Sequence, residues 1–510
     1  MKEYDLISIG TGSAIHIVDA ILQRVPNLKV AVIDKDEPGG ICLTRGCIPS
    51  KLLLYPAEMV RTIERANEFG IDVRLQKIDF NKVMEGMRHH INDEINMIRN
   101  GLSKSQNIDY YHDVVEFIEP YSLKVGNSSN NVMITAKMIL LCIGSKPIIP
   151  PIKGLDGVGY HTSDTILALN KLPESIAIVG GGYIGAEYGH FFSSMGSKVS
   201  IVSRNKQFLH EEEPEISALA KRELGKHMEI ITNYEVIEVS EEEEEVTYRT
   251  NKEDRLQEGE RKKKKSLTIQ DQSNGERRKI TAQEVLIAVG RGSNTDILHP
   301  ERAGIRTDEN GWIVVDEYLE TSQPNIWAFG DANGVYIFKH EANYEAQLVY
   351  INAVLRAEEK NNKKKVKKDY HAVPHAVFTY PEIAAVGLGE REALARYGEN
   401  NVLIGIARFE DTAKGVAMRI KDHFVKVIAK AEVDDLEIIG AHIIGPYASI
   451  LIQEIINIMY TQHERTVKPI LSAMHIHPSL SEVVQRSVSS FMPPKQYHHM
   501  ISEHYGLSIE

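Results

Sequence analysis

Cysteine is scarce, with three residues in 510. Two of the three, Cys42 and Cys47, stand five positions apart, and a bridge closing so short a loop would constrain little of the unfolded ensemble in a chain with ample core. The next stretch also lacks the second cysteine or histidine pair that zinc spacings need. A structural bridge and a metal site are therefore the lesser readings, and a working dithiol is the better one. Basic excess is lacking as well: 59 Lys and Arg against 71 Asp and Glu give a formal charge of -12, which argues against a general nucleic-acid binder and for small-molecule partners. Long apolar runs are missing, none approaching the ~18 residues that span a bilayer. Met1-Lys2-Glu3-Tyr4-Asp5 runs into an apolar strand with no basic n-region or signal-length hydrophobic segment, so the expectation is a cytoplasmic protein with no membrane partner.

The rest of the composition is ordinary for a globular protein, with 42% apolar and 25% charged residues, and the length suits about three domains. The chain opens with an apolar strand, Leu6-Ile7-Ser8-Ile9, then Gly10-Thr11-Gly12-Ser13-Ala14-Ile15, a helix to about Gln23, and a strand ending at Asp34. This is the pattern of a βαβ unit whose glycines Gly10 and Gly12 let backbone approach a pyrophosphate and whose acid takes a ribose hydroxyl. Ile15 holds the third glycine position, so helix and strand must pack less closely there. The pattern returns complete in Gly180-Gly181-Gly182-Tyr183-Ile184-Gly185, between a strand at Ser175–Val179 and one at Lys198–Val202. That second unit ends at Ser203-Arg204, where an NAD fingerprint has an acid; an arginine pairs with a 2'-phosphate that an acid would repel, which points toward NADP(H). Lys206 and His210 could join that pocket, and a solvated basic turn is the plain alternative.

Two such units with a dithiol just after the first suggest one flavin and one nicotinamide feeding a disulfide. On these residues the chain resembles the pyridine nucleotide-disulfide oxidoreductases, and within them most the dihydrolipoamide dehydrogenase branch. Further landmarks run through almost the whole chain: Cys142-Ile143-Gly144-Ser145-Lys146-Pro147, Ile287-Ala288-Val289-Gly290-Arg291, Ile326-Trp327-Ala328-Phe329-Gly330-Asp331, Phe378-Thr379-Tyr380-Pro381-Glu382, and His475-Ile476-His477-Pro478-Ser479-Leu480-Ser481-Glu482. The resemblance implies an α/β fold with two Rossmann-like dinucleotide-binding domains, for FAD and NAD(P), plus a C-terminal α+β dimerisation domain. It implies bound FAD, a nicotinamide that is NAD or NADP(H), and a homodimer. Residues 1–150 would begin the FAD domain, 151–285 form the nicotinamide domain, 286–365 complete the FAD domain, and 366–510 form the interface domain. Pro147, Pro150 and Pro151 mark the first crossing, and the Lys- and Asn-rich Lys360 to Lys368 the last.

The resemblance also implies roles. Cys42 is the interchange thiol that meets substrate and Cys47 the thiol against the flavin. His477, not His475, is the base, because it directly precedes the proline; it is oriented by Glu482 and lent to the partner subunit's dithiol. Gly330-Asp331 and Gly144 belong to the flavin site, with Asp331 on the ribityl chain. Lys51 and Glu187 pair near the flavin, Gly290 closes the second unit, and Tyr183 covers the nicotinamide pocket or simply packs. Cys142 reads as an inert thiol. No metal is expected.

Two segments depart from the family. Between about 240 and 278 the acidic run Glu241–Glu245 precedes the basic run Lys262–Lys265, which reads as an extended hairpin with ion-paired edges in preference to a docking element. The tail beyond Ser487 is longer than expected and could wrap the partner or narrow the substrate entrance. The functions in view are a dihydrolipoyl dehydrogenase first; an NADPH-dependent reductase of a low-molecular-weight disulfide or persulfide second, supported by Ser203-Arg204; and remotely a flavin-binding subunit without turnover. A mercuric reductase fits poorly, since no cysteine follows Cys142.

Overall fold

The computed structural model describes residues 1–126, 131–249, 256–357, 365–433, 435–461 and 465–505. The chain's apolar runs become parallel strands buried on both faces, so they carry no polar alternation. Val30, Ala31, Val32 and Ile33 are all fully buried. In the first sheet Ile108–His112, Val30–Asp34, Lys2–Ile9 and Val132–Leu141 lie side by side in parallel, and the hairpin Val115–Glu119/Ser122–Val125 extends the far edge. The short strand Ile326–Ala328 returns from much later in the chain to pair with Val132–Leu141. Asp331 is thereby carried back to the strand ends of the first unit.

The second sheet repeats the plan with Glu229–Thr232, Lys198–Ser203, Ser175–Val179, Glu284–Ile287 and His161–Thr162, all parallel. In the first unit the helix Ala14–Arg24 covers the sheet with an i, i+3, i+4, i+7 face of Ala14, Ile17, Val18 and Ile21, whereas the second unit's helix Tyr183–Met195 is buried nearly all round. A small antiparallel pair, Ser145–Pro147 with Arg291–Ser293, joins the two units.

The charged segment forms a long hairpin, Tyr234–Arg249 against Leu256–Asp271, with Arg277–Ala282 as a third strand. Its register sets Glu241, Glu242 and Glu243 opposite Lys265, Lys264 and Lys263. Lys263 bonds Glu241 at 2.6 Å and Lys279 bonds Glu242 at 2.8 Å, the ion-paired hairpin that the charge pattern suggests. The hairpin's residues 250–255 lie outside the described residues, as does 360–364 of the expected linker.

The last sheet is antiparallel: Pro374–Val377, Ile383–Gly387, Leu436–Ile444, Phe424–Ala431, Val402–Arg408 and Phe491–Met492. Beyond Ser487 the chain adds Phe491–Met492 to the edge of its own sheet, and the helix Pro494–Tyr505 buries Tyr497 and Ile501 completely. Two large side chains with nowhere else to be covered account for that docking. Among the described residues no helix is long and apolar enough to cross a membrane.

Candidate active site

The two glycine loops are built alike. Gly10 and Gly180 have φ of 97° and 126°, a region that L side chains rarely occupy. A Cβ at either would lie 2.1 Å from a carbonyl oxygen, that of Cys142 or Ala288. Each glycine is therefore needed to press one strand end against the next. Around Gly182, the residue before the helix Tyr183–Met195, an added Cβ would meet nothing within 4 Å, which leaves open space over a helix N-terminus. That is room for a phosphate beside unpaired N–H groups. At Gly185 an added Cβ would sit 2.1 Å from the Gly180 oxygen. In the first unit Ile15 stands at that place, and the helix starts at Ala14, one position later than its counterpart at Tyr183.

A single cleft of about 1580 Å³ runs past both loops. Asp34, Gly10, Gly12, Cys42, Cys47, Lys51, Gly144 and Asp331 line it toward the first unit, and Gly180, Gly182, Tyr183, Glu187, Ser203, Arg204 and Gly290 toward the second. Asp34 accepts a hydrogen bond from the Thr11 backbone at 2.8 Å and another from the Thr11 hydroxyl, while the Asp36 N–H donates to its other oxygen at 3.0 Å. Burial pushes its carboxyl up while these donors pull it back.

Three sequence landmarks converge on Asp331. Ser145 donates its hydroxyl proton to the Asp331 carboxylate, and Arg291 donates to that Ser145 oxygen at 2.7 Å and to the Ser145 carbonyl at 2.9 Å. The residues that follow Gly144, Gly290 and Gly330 thus meet at one point, with an acceptor carboxylate facing the cleft. Burial also pushes the Asp331 carboxyl up. A second convergence lies beside the dithiol. Both Glu187 oxygens accept from Lys51 at 2.9 Å, and the Phe378 backbone N–H donates to one of them at 3.1 Å. The Lys51 ammonium sits 4.5 Å from the Phe378 ring centroid, so the Phe-Thr-Tyr-Pro-Glu segment supplies a donor and a cation-π face.

Cys42 lies in the short helix Gly40–Thr44, and Cys47 opens the helix Cys47–Glu64. Both thiols are free. A hydrogen bond from the Cys47 thiol, with help from the Lys339 ammonium, lowers Cys42 to about 7 against the opposing effect of burial. The same hydrogen bond, with burial and the adjacent Cys42 charge, raises Cys47, which Lys51 only partly offsets. Each sulfur thus has its own lysine. Lys339 was not legible from any motif; it opens the helix Lys339–Ala357 and is held by the Ser13 hydroxyl at 2.9 Å. Cys142 lies on the cleft wall with its sulfur against Gly12, and burial pushes its thiol up to about 11. Tyr183 is half-buried with its ring 6.0 Å from that of Phe338, and burial pushes its phenol up to about 12.

His477 does not line the cleft of its own chain. Its Nδ1 is 2.9 Å from Glu482, its side chain is 70% exposed, and Glu482 is fixed by the Ser479 N–H at 3.1 Å. The His477 interaction, first, and that N–H hold the Glu482 carboxyl below its usual range. His475 has its side chain buried and pairs with Glu454 at 3.0 Å. An exposed, oriented imidazole beside the bare Met474 and Ile476 is suited to meeting something outside its own chain.

The cleft, the dithiol and the paired glycine loops match a known family. The family model "Pyridine nucleotide-disulphide oxidoreductase" matches residues 4–347, and that family's dimerisation domain matches residues 373–488. The chain is therefore a member of the pyridine nucleotide-disulfide oxidoreductases, FAD-dependent enzymes that also use a pyridine nucleotide. It is 33% identical over 492 residues to mycothione reductase of Mycobacterium tuberculosis, covering 96% of this chain and 99% of that one. Identity to dihydrolipoyl dehydrogenase of Bacillus subtilis is 31% over 494 residues, covering 94% and 96%. Among solved structures, the HOCl-induced flavoprotein disulfide reductase RclA of Escherichia coli is similar with a TM-score of 0.77 and 26% identity, covering 95% of this chain and 99% of that one.

The residues present fit the flavin. Gly10, Gly12, Asp34, Gly144 and Asp331 could hold it, because the glycines leave the cleft wall bare and the two carboxylates present acceptors to hydroxyls. The second loop, with Ser203 buried and Arg204 exposed at its rim, could hold the nicotinamide cofactor.

Proposed function

We propose that the chain is an NADPH-dependent reductase of a low-molecular-weight disulfide or persulfide, working in the cytoplasm as a homodimer. Arg204 is the observation that carries this reading. The strand that would present a ribose-binding acid for NAD ends instead at Ser203 and Arg204. The arginine is exposed, faces the same cleft as the glycine loop, and has no ion-pair partner among the described residues. An unpaired guanidinium there offers a 2'-phosphate a bidentate partner.

The sulfur chemistry follows from the two thiols. The Cys42 thiolate attacks one sulfur of the substrate disulfide, forming a mixed disulfide and releasing one thiolate. Cys47 then attacks the Cys42 sulfur, which closes the Cys42–Cys47 bond and releases the second thiolate. His477 of the partner subunit, held by Glu482 of the same subunit, gives protons to the leaving thiolates and takes one from Cys47. Bound FAD supplies the two-electron link from the nicotinamide that reopens the enzyme disulfide. Lys51, fixed by Glu187, keeps a positive charge beside Cys47, and Tyr183 screens the nicotinamide side of the cleft.

A dihydrolipoyl dehydrogenase is the second reading, favoured by the His-Pro-Ser-Leu-Ser-Glu segment and by the likeness to the Bacillus subtilis enzyme. It uses the same residues with electrons running the other way. Steady-state assays of NADPH and NADH with a disulfide panel, and of NAD with dihydrolipoamide, test the choice. Arg204→Ala should lower the kcat/KM ratio of NADPH over NADH about tenfold or more, the worth of a charged hydrogen bond. An unchanged ratio, with faster dihydrolipoamide oxidation than disulfide reduction, would reverse the order of the two readings.

A further inference from the structure

Lys426, on the strand Phe424–Ala431 of the last sheet, is fully buried, and its ammonium donates to Glu213, Glu215 and Glu390 at 2.5, 2.6 and 2.7 Å. The three carboxylates lie close enough to chelate a cation, and the chain supplies that cation itself. The C-terminal helix closes the group: the Tyr497 hydroxyl donates to Glu215 at 2.5 Å with its ring centroid 4.6 Å from the ammonium, and His498 meets Glu390 at 2.5 Å. Such a buried network adds little net stability over well-packed apolar residues of the same volume. Its use is better sought in what it holds in place.

It holds a loop of the nicotinamide unit. Glu213 ends the segment that starts at Arg204 and leads into the helix Pro214–Leu224. The residue before it is anchored too: Glu212 is buried and 2.7 Å from His375. The His375 ring stacks on Phe338 with centroids 6.0 Å apart and planes 6° apart, and Phe338 is the ring packed on Tyr183. Midway along, the segment is tied to the second glycine loop, where the Leu209 N–H donates to the Gly181 carbonyl at 2.9 Å. Two consecutive carboxylates of one loop are therefore gripped by the dimerisation domain, and the C-terminal helix caps the network around Lys426 that holds the second of them.

We propose that Glu212 and Glu213 form a clamp through which the dimerisation domain and the C-terminal helix position the nicotinamide-binding loop, with His375 and Tyr497 as positioning residues. The proposal rests on reading residues 203–210 as the loop that takes the adenosine end of the nicotinamide cofactor. It gives the unusual tail a function inside its own chain.

The test uses the full-length FAD-loaded enzyme carrying Tyr497→Phe or His375→Gln, with Arg204→Ala as a separate arm. The clamp acts on the backbone of the loop, so both variants should raise KM for NADPH and for NADH by the same factor, on the order of fivefold, with kcat nearly kept. Single-turnover reduction of the flavin by dihydrolipoamide, which does not use the loop, should keep its rate. Unchanged KM values in both variants overturn the clamp, as does an equal loss in the dihydrolipoamide half-reaction, which would mark a merely structural role. If Arg204→Ala fails to separate NADPH from NADH, the reading of the loop itself falls, an outcome distinct from either of those.

Discussion

The asymmetry between the two thiols gives a prediction that can be worked to a number. At pH 7 a thiol with a pKa of 9.0 is about 1% ionised, whereas Cys42, lowered to about 7, is about half ionised. The thiolate population is thus raised about fiftyfold. Nucleophilicity falls with pKa, at a Brønsted slope of about 0.4 to 0.5, which over two units takes back roughly six- to tenfold. The net expectation is that Cys42 reacts about five to eight times faster at pH 7 than an ordinary thiol, with a rate that levels off above pH 8. Cys47, raised by the same hydrogen bond, should lag behind it throughout. The assay is iodoacetamide alkylation of the reduced enzyme from pH 5 to 10, with each cysteine followed by peptide mass spectrometry. A half-maximal rate near pH 9 for Cys42, or faster modification of Cys47, would refute the assignment of the substrate-facing thiol. Lys339→Met should move the Cys42 midpoint upward, since after the Cys47 hydrogen bond that ammonium is the next group that favours the thiolate.

Two further outcomes are expected. His477→Ala should lower the disulfide-reduction rate about 10²- to 10⁴-fold, the usual worth of a general acid-base group, with little change in Tm because the side chain is 70% exposed; a loss below tenfold in kcat would remove His477 from the mechanism. Burial pushes His190 down to about 3 from 6.5. The unfolded chain therefore binds a proton over that window that the folded chain refuses, so stability is full above pH 6.5 and falls by about 1.4 kcal/mol per unit below it. Urea unfolding of His190→Phe at pH 7 and pH 4.5 should show a smaller acid loss than the parent, and an equal loss would assign the acid sensitivity elsewhere.

What could be read from the sequence was what is local. The glycine loops announce themselves because Gly10 and Gly180 must take positive φ beside a strand end, a need written in a few adjacent residues. The dithiol, the His477-Glu482 pair and the opposed charge runs of the hairpin are local in the same sense. The convergence of Ser145, Arg291 and Asp331 was not legible, because three separate strand ends meet only after the first sheet recruits Ile326–Ala328. The difference between Cys42 and Cys47 was hidden for the same reason: spacing treats the sulfurs alike, and they are separated by the direction of the hydrogen bond between them, helped by the charge of Lys339 far along the chain. The docking of the tail was not legible because nothing near Tyr497 in sequence hints at Lys426, the buried ammonium over its ring.

In the proposed reaction electrons from a nicotinamide reach a substrate disulfide through Cys42 and Cys47. It is tested most directly by adding one equivalent of NADPH to the oxidised FAD-loaded enzyme without oxygen and alkylating at once. Two new thiols per chain are expected, at Cys42 and Cys47, with Cys142 unchanged and no new thiol in Cys42→Ser. Reduction of the flavin with no thiol appearing at either position would contradict it.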